Sequence, residues 1–363
     1  MAISGSGTEL DPYIVHDWDE FCTYKDTSGV YIKFANPHEG QTIQGDGTSS
    51  SPYIVSSYEE MLTATGAQYI WQVKLIDRDA KKYKFGDVYC QYDNSLSTID
   101  FNNIQPNGYT SAFNIYSTTN LNGWTWKNAV FHDYGYFYFS NPVSNAIFEN
   151  FFSDNKESSY GCCISCYSQA SNIKMSGTFD TNGKGIFGVR SASNSSYRGL
   201  INSSFNFKLL GKACMFTDSG NRYTPRMENC NVNFELIDNR EAAVSLDNYI
   251  ASCNCLYSGN IKAPNCTHTY DTASLMSSSS KYSIINIKAE VEEGQNRPYL
   301  NITGTSSVTG LNFYVNDGNV DYYIREGSNL VGISESTLKD AQALHDLGLP
   351  IGVIARLRST DWS

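Results

Sequence analysis

One pattern recurs from about residue 70 to residue 323: a short strand of alternating apolar and polar residues, then a turn rich in Asn, Gly, Asp or Ser. The centres of the clearest strands are Phe101, Trp126, Phe148, Met175, Ile201, Val232, Cys255, Ile287 and Phe313, and the steps between them are 25, 22, 27, 26, 31, 23, 32 and 26 residues. Coils of this length, each with two or three short strands, are typical of a parallel β-helix. Each coil stacks on the previous one and buries a continuous interior.

Other β architectures fit this spacing less well. A β-sandwich gives turn signals every 8 to 12 residues with hairpin dipeptides, and a doubly wound fold needs amphipathic helices between its strands. We find neither pattern in the sequence. The prediction is therefore an all-β chain whose residues 70–325 form a right-handed parallel β-helix, a solenoid.

The first 69 residues contain an internal duplication. The segment 5–21, GSGTELDPYIVHDWDEF, returns as 45–61, GDGTSSSPYIVSSYEEM, with eight of seventeen positions identical. Each copy predicts a glycine turn, a Tyr-Ile-Val strand and a short helix that begins after Asp17 or Ser57, with Glu20 or Glu60 completing a capping box. A β-helix has open end edges, so we expect residues 1–69 to form small duplicated α/β units that cap it. A phosphate loop is disfavoured, because no Lys follows the Gly-x-Gly-Thr motif.

The pattern stops after Tyr323. In residues 326–363, Ser334 to Leu347 predicts one short helix, with Gly348 and Pro350 as its stop, and Ile351 to Leu357 predicts a last strand. Capping, oligomerisation and attachment to a larger assembly are the roles left open for this segment.

The composition excludes several classes of partner. The 363 residues carry a formal charge of −11 with only 17% charged side chains. A chain this acidic is not expected to bind nucleic acid through its backbone charge or to adhere to anionic membranes. No apolar run approaches the length of a membrane span, and the first residues resemble no export signal, so we expect no membrane insertion and a chain made in a cytoplasm.

The ten cysteines are spaced irregularly, and no His lies near Cys162, Cys163 and Cys166 or near Cys253 and Cys255. We therefore expect reduced thiols that pack as small apolar side chains, with no metal site and no cofactor.

Glycosidases need two carboxylates about 5 to 10 Å apart across the scissile bond. Asp77 and Asp79 alternate along one predicted strand and are the weak catalytic candidates; the other pairs are Asp93 with Asp100 and Asp317 with Asp321. The alternative is that all of them are solvated surface acids. No Ser or Cys lies in a nucleophile elbow, and the five histidines are scattered.

The stretch Asp133 to Ser140 is rich in aromatic residues. Its alternation places Tyr134, Tyr136 and Tyr138 on one face and Phe137 and Phe139 on the other. A tyrosine face stacks on sugars, packs against another subunit or forms an aromatic ladder inside the rod, and the sequence leaves these three interpretations open.

The motif Gly-x-Gly-Thr-x-x-x-Pro-Tyr-x-Ile with its acidic short helix resembles N-terminal repeats of bacterial surface proteins and of right-handed β-helical virion proteins of tailed phages. The resemblance covers residues 5–76 by motif and the rest by pattern. It implies a homotrimeric spike, fibre or capsid-decoration protein that contacts other virion proteins and host surface glycans. Because the chain begins without an export signal, a virion component is favoured over a bacterial adhesin. A tailspike enzyme, a polysaccharide hydrolase or lyase, is the second alternative.

Overall fold

The structure is a computed structural model of the 363-residue chain. It describes residues 4–8, 10–11, 13–15, 32–34, 44–45, 50–51, 53–55, 74–77, 82–85, 88–92, 98–101, 112–115, 123–131, 136–139, 142–154, 163–189, 198–217, 226–239, 246–248, 251–263, 280–290, 311–315, 322–326 and 329–360.

The two Tyr-Ile-Val runs of the duplicated segment are strands, as predicted. They are β1 (Tyr13–Val15) and β3 (Tyr53–Val55), and β1 pairs in parallel with β2 (Ile32–Phe34). Gly5, Gly7 and Gly45 have positive φ angles, which explains the glycines of the motif. The predicted helices after Asp17 and Ser57 lie outside the described residues.

The strands between residues 74 and 92 do not belong to the parallel stack, although the predicted β-helix includes them. They are β4 (Lys74–Asp77), β5 (Lys82–Phe85) and β6 (Val88–Tyr92). Strand β5 pairs antiparallel with both β4 and β6, and β6 also pairs in parallel with β3. Only two residues, Gly86 and Asp87, separate β5 from β6. A two-residue connection makes an antiparallel hairpin, because a parallel crossover needs a dozen residues or more.

From residue 98 onward the chain forms the predicted right-handed parallel β-helix, whose wall consists of three sheets. The first, called the long sheet, has the chain-order path β7 (Thr98–Asp100), β9 (Thr125–Lys127), β13 (Ile147–Ser153), β16 (Lys174–Phe179), β19 (Ser204–Leu210), β22 (Asn231–Ile237), β25 (Leu256–Lys262), β26 (Ile284–Glu290) and β27 (Leu311–Val315), with β10 (Val130–Phe131) also paired to β13. Every pair along this path is parallel.

The other two walls are shorter. One contains β8 (Ala112–Ile115), β11 (Tyr136–Phe139), β14 (Ile164–Cys166), β17 (Gly185–Val189), β20 (Ala213–Thr217) and β23 (Leu246–Asn248). The other contains β12 (Val143–Ser144), β15 (Ala170–Ser171), β18 (Arg198–Ile201), β21 (Arg226–Glu228) and β24 (Ala251–Cys253). From β9 to β25, each coil passes through the long sheet, then through these two, and returns to the long sheet.

Inward-facing side chains of successive coils lie in rows. One row of the long sheet contains Trp126, Phe148, Met175, Phe205, Val232, Tyr257 and Ile285, all buried. Burial of each large side chain contributes about 1.5 to 3 kcal/mol before conformational entropy is subtracted, so the strand alternation sets the interior. The row beside it combines large and small residues. Gly259 leaves room for the ring of Phe234, because a Cβ added at Gly259 would lie 2.4 Å from that ring.

The turn that leads back into the long sheet is set by asparagine. Asn145, Asn172, Asn202, Asn229 and Asn254 all have φ near +50°, a conformation that asparagine tolerates better than most residues. Their amides form a ladder between coils: Asn172 Nδ2 donates to Asn145 Oδ1 (3.0 Å), Asn229 Nδ2 to Asn202 Oδ1 (3.2 Å) and Asn254 Nδ2 to Asn229 Oδ1 (2.6 Å). The prediction that Cys253 to Cys255 forms a strand is wrong, because Asn254 lies in this turn.

In four successive coils the residue after the turn residue with positive φ is small and buried: Ser203, Cys230, Cys255 and, after Tyr282, Ser283. Each of the four donates its side-chain hydrogen to the carbonyl two residues earlier. Cys163, Cys166 and Cys214 are also buried, and the six cysteines whose side chains the structure describes are free thiols. The predicted packing of cysteine as a small apolar residue is confirmed for the five that are buried.

The C-terminal end departs from both the solenoid and the prediction. Strands β28 (Tyr322–Glu326) and β29 (Asn329–Ile333) add antiparallel to the long sheet. Only two residues, Gly327 and Ser328, separate them in the sequence, a length typical of a hairpin. Three helices follow: α1 (Glu335–Lys339), α2 (Ala341–Asp346) and α3 (Ile351–Ser359). Their apolar faces and those of the last strands form a second core.

Two predictions for this segment need correction. The single helix predicted from Ser334 to Leu347 is divided at Asp340, which ends α1 and whose carboxylate accepts from the first N–H groups of α2. The strand predicted at Ile351 to Leu357 is helix α3. Val353, Ile354 and Leu357 are its buried residues, a helical spacing, and Pro350 at the N-cap fits a helix start.

Candidate functional site

The predicted tyrosine face is partly described. In β11, Phe137 and Phe139 are buried, whereas Tyr136 and Tyr138 are half-buried on the outer side, so the predicted alternation is confirmed for these four residues. Tyr134 lies outside the described residues. A role of Tyr134, Tyr136 and Tyr138 in glycan or subunit contact stays a prediction.

The predicted acids are not brought together by the described part of the chain. Asp77 ends β4, in the mixed sheet that precedes the solenoid, and its backbone pairs with Lys82. Asp100 ends β7 in the long sheet. Asp79, Asp93, Asp317 and Asp321 lie outside the described residues. The structure therefore gives no support for a carboxylate pair at any of these positions.

A different surface stands out: the outer face of the long sheet, called the outer face below. It contains a groove of about 620 Å³ that crosses β13, β16, β19, β22, β25 and β26. Its lining residues are Glu149, Asn150, Ser176, Gly177, Thr178, Asn206, Phe207, Lys208, Asn233, Phe234, Glu235, Ser258, Gly259, Asn260, Asn286 and Lys288. Six strands at about 4.8 Å spacing give the groove a length of about 24 Å along the solenoid axis.

The strand register arranges the groove's side chains in two rows. One row consists of short uncharged polar residues, in the order Ser176, Asn206, Asn233, Ser258 and Asn286. The row beside it reads Thr178, Lys208, Glu235, Asn260 and Lys288. Because the strands carry these side chains on a hydrogen-bonded wall, the donors and acceptors are held in fixed positions.

The charges of the groove are unevenly compensated. Glu235 forms an ion pair with Lys262 of the next strand, with Nζ 3.2 Å from Oε1. Lys208 and Lys288 are exposed and lie in one row, three strands apart, which is about 14 Å at the usual strand spacing. Glu149 is the other acid of the lining and lies at the N-terminal end of the groove.

A bulge closes the N-terminal end. Asn150 interrupts the regular pairing of β13 with a φ of 54°, and its Nδ2 donates to Oδ1 of Asn128, which has a φ of 57° (2.8 Å). The backbone N–H of Asn150 donates to Ser176 Oγ (3.2 Å). Gly177 is required below the bulge, because a Cβ there would lie 2.3 Å from the carbonyl oxygen of Phe151.

Helix α3 lies along the side of the groove where strands β22, β25 and β26 begin. A hollow of about 440 Å³ lies between α3 and strands β22, β25 and β26, and it shares Ser258 and Asn286 with the groove. Arg356 lines it, and its Nη1 donates to both the carbonyl oxygen and Oδ1 (2.6 Å) of Asn254, the last rung of the asparagine ladder. Partial burial lowers the pKa of this guanidinium from its usual value, with the neighbouring Cys255 and Cys230 opposing the shift.

The thiols are not arranged for nucleophilic chemistry. Burial raises the pKa of Cys163 to about 12, Ser153 opposing the shift through a hydrogen bond. Burial also raises the pKa of Cys253 and that of Cys255. Among the described residues, no three His, Cys, Asp or Glu side chains cluster to hold a metal ion.

Comparison of the chain with protein-family models, with curated proteins and with solved structures found no match. None of the described helices is long and apolar enough to cross a membrane.

Sequence reasoning missed the outer face. The signal was present as Phe-Asn-Phe at 205–207 and Val-Asn-Phe at 232–234, where Asn alternates with large apolar residues. We used that alternation only to place the strands. Recognising the face also requires the strand register, which brings residues 25 to 30 positions apart in the chain into one row.

Proposed function

We propose that this chain is a structural virion protein of a bacteriophage, a β-helical spike, fibre or capsid-decoration protein, and that its outer face attaches the particle to host surface glycans. The groove supports the attachment, and the resemblance of residues 5–76 supports the virion setting. A bacterial surface adhesin with the same face is the alternative setting.

The chemistry of the groove suits sugars. Asn and Ser side chains offer both donors and acceptors to hydroxyl groups, and Asn206 and Asn233 are exposed to a ligand. The groove spans about 24 Å across the strands, along the solenoid axis, which is room for several sugar rings in one extended chain. A flat polar groove on a rigid wall favours a linear hydrophilic polymer over a compact apolar ligand.

The carboxylates of the groove support binding without cleavage. Glu149 and Glu235 lie on strands three steps apart, about 14 Å across the sheet, whereas glycosidase carboxylates are about 5 to 10 Å apart. Glu235 is also neutralised by Lys262. A tailspike hydrolase or lyase would need a catalytic pair elsewhere in the chain.

A single shallow site of this kind binds weakly, so attachment needs several copies. Self-association, as a homotrimer in our proposal, and multiple copies on the particle would raise the effective concentration of sites. Other virion proteins are the remaining partners in this proposal.

The test is binding of the purified protein to capsule or wall polysaccharide from the host, with product release followed in the same samples. The double variant Asn206→Ala with Asn233→Ala should lower binding at least fivefold, and Asn239→Ala, an exposed asparagine outside the groove, should not. The wild type should release no new reducing ends and no unsaturated uronide absorbance. Release of defined oligosaccharides would replace attachment by enzymatic cleavage.

A further inference from the structure

Described side chains at the edges of the groove carry positive charge. Two glutamates and two lysines line the groove and balance one another, and three further cations, Lys174, Lys262 and Arg356, lie at its edges. These edge cations lie on a chain whose formal charge is −11. A local cationic region on an acidic protein concentrates anionic ligands at that region and repels them elsewhere.

The cations are placed in a line. Lys208 and Lys288 lie in the same row, about 14 Å apart across β19, β22, β25 and β26. Between them, Glu235 is paired with Lys262 and Asn260 is uncharged. The two exposed ammonium groups are therefore separated along the direction in which an extended polymer would lie.

Arg356 lies beside this line, at the edge where the strands of the long sheet begin, because its guanidinium contacts Asn254 in the turn before β25. The hydrogen bonds that described residues accept from its guanidinium both involve Nη1, so the Nε and Nη2 edge remains for a ligand in the hollow. A guanidinium edge of this kind matches the two oxygens of a carboxylate. Ser258 and Asn286 connect the hollow to the uncharged row of the groove.

We propose that the ligand of the outer face is an acidic glycan, one whose repeating unit carries a carboxylate, with Lys208 and Lys288 contacting its acid groups and Arg356 contacting one at the lateral edge of the groove. This inference rests on the proposed attachment function and specifies its ligand class. The polar row of asparagine and serine contacts the hydroxyl groups between the acids.

The experiment uses the full-length protein and an array of acidic and neutral oligosaccharides. Each glycan that binds is then compared with its carboxyl-reduced form, in which every carboxylate has become a hydroxymethyl group. We expect binding to acidic glycans, a tenfold or larger loss on carboxyl reduction, and weaker binding as salt is raised. Because one charge-assisted hydrogen bond contributes about 1.4 kcal/mol or more, Lys288→Gln should weaken binding about tenfold.

Lys281→Gln is the matched control, because Lys281 is an exposed lysine in the turn before β26 and outside the groove. It should bind like the wild type. Arg356→Lys keeps the charge and loses the planar edge, and its melting temperature is measured beside its affinity to separate folding from recognition. If neutral and carboxyl-reduced glycans bind as well as acidic ones and Lys288→Gln changes nothing, the acidic ligand is wrong while attachment stands. If no glycan binds, both proposals fail.

Discussion

Replacing Asn229 by alanine tests whether the asparagine ladder holds the coils together. Asn229 has a φ of 54°, donates through Nδ2 to Asn202 Oδ1 (3.2 Å) and accepts at Oδ1 from Asn254 Nδ2 (2.6 Å). Alanine removes both hydrogen bonds, each with a net contribution of about 1 kcal/mol, and adds about 1 kcal/mol because it tolerates the left-handed conformation less well than asparagine. We therefore expect Asn229→Ala to lower the free energy of unfolding by about 3 kcal/mol.

Asn229→Gly separates the two contributions. Glycine adopts the positive φ without strain but makes neither hydrogen bond, so its loss should be about 2 kcal/mol. Asn206→Ala is the control, because Asn206 is an exposed residue in the regular part of β19, where a substitution changes stability by less than about 0.5 kcal/mol.

The assay is urea denaturation followed by tryptophan fluorescence, with all variants measured under the same conditions. The midpoint should shift while the slope with denaturant stays the same, because the surface exposed on unfolding is unchanged. An Asn229→Ala protein as stable as the Asn206→Ala control would refute the ladder as a stabilising element. Equal losses for alanine and glycine would show that the backbone conformation contributes nothing.

Two further predictions concern glycine and cysteine. Gly259→Ala should lower the melting temperature by several degrees, because its Cβ would lie 2.4 Å from the ring of Phe234. Gly352→Ala in helix α3 is the control: no atom lies within 4 Å of the added Cβ, so the melting temperature should stay the same or rise. Equal changes in melting temperature for the two variants would contradict the close packing at Gly259. Burial raises the pKa of Cys163 to about 12 from an ordinary 9.0, so the unfolded chain loses this proton first and stability falls as pH rises from 9 to 12. Calorimetry across this pH range should show that the melting temperature falls less steeply with pH for Cys163→Ala than for the wild type. Identical pH dependence of the two melting temperatures would show that folding does not raise the pKa of this thiol.

The solenoid was predictable because the alternation of apolar and polar residues in each strand identifies the side chains that face the interior. Alternation such as Phe205, Asn206, Phe207 places every second side chain inside, and the step between strands gives the length of a coil. The same reasoning failed where a turn has the composition of a strand. Asn254 lies between two cysteines that suggest alternation, and only its φ of 53° reveals the turn.

The ends of the solenoid were predicted less well because two-residue connections were overlooked. The sequence has Gly-Asp at 86–87 and Gly-Ser at 327–328, dipeptides typical of hairpins, and the strands on either side of each pair antiparallel. Helix α3 has β-branched residues that favour a strand, and the spacing of its buried residues Val353, Ile354 and Leu357 is the feature that indicates a helix. The outer face depends on register between coils, which no local pattern contains.

The most direct test of the attachment face is hydrogen exchange of the full-length protein with and without a glycan that the array identifies. We predict slower exchange in peptides from β19, β22, β25 and β26 and in the last turn of α3, where Arg356 lies, and no change in β14 and β17 on another wall. Protection confined to β11, with its Tyr136 and Tyr138, or to strands β4 to β6, would contradict the assignment of the outer face as the site of attachment.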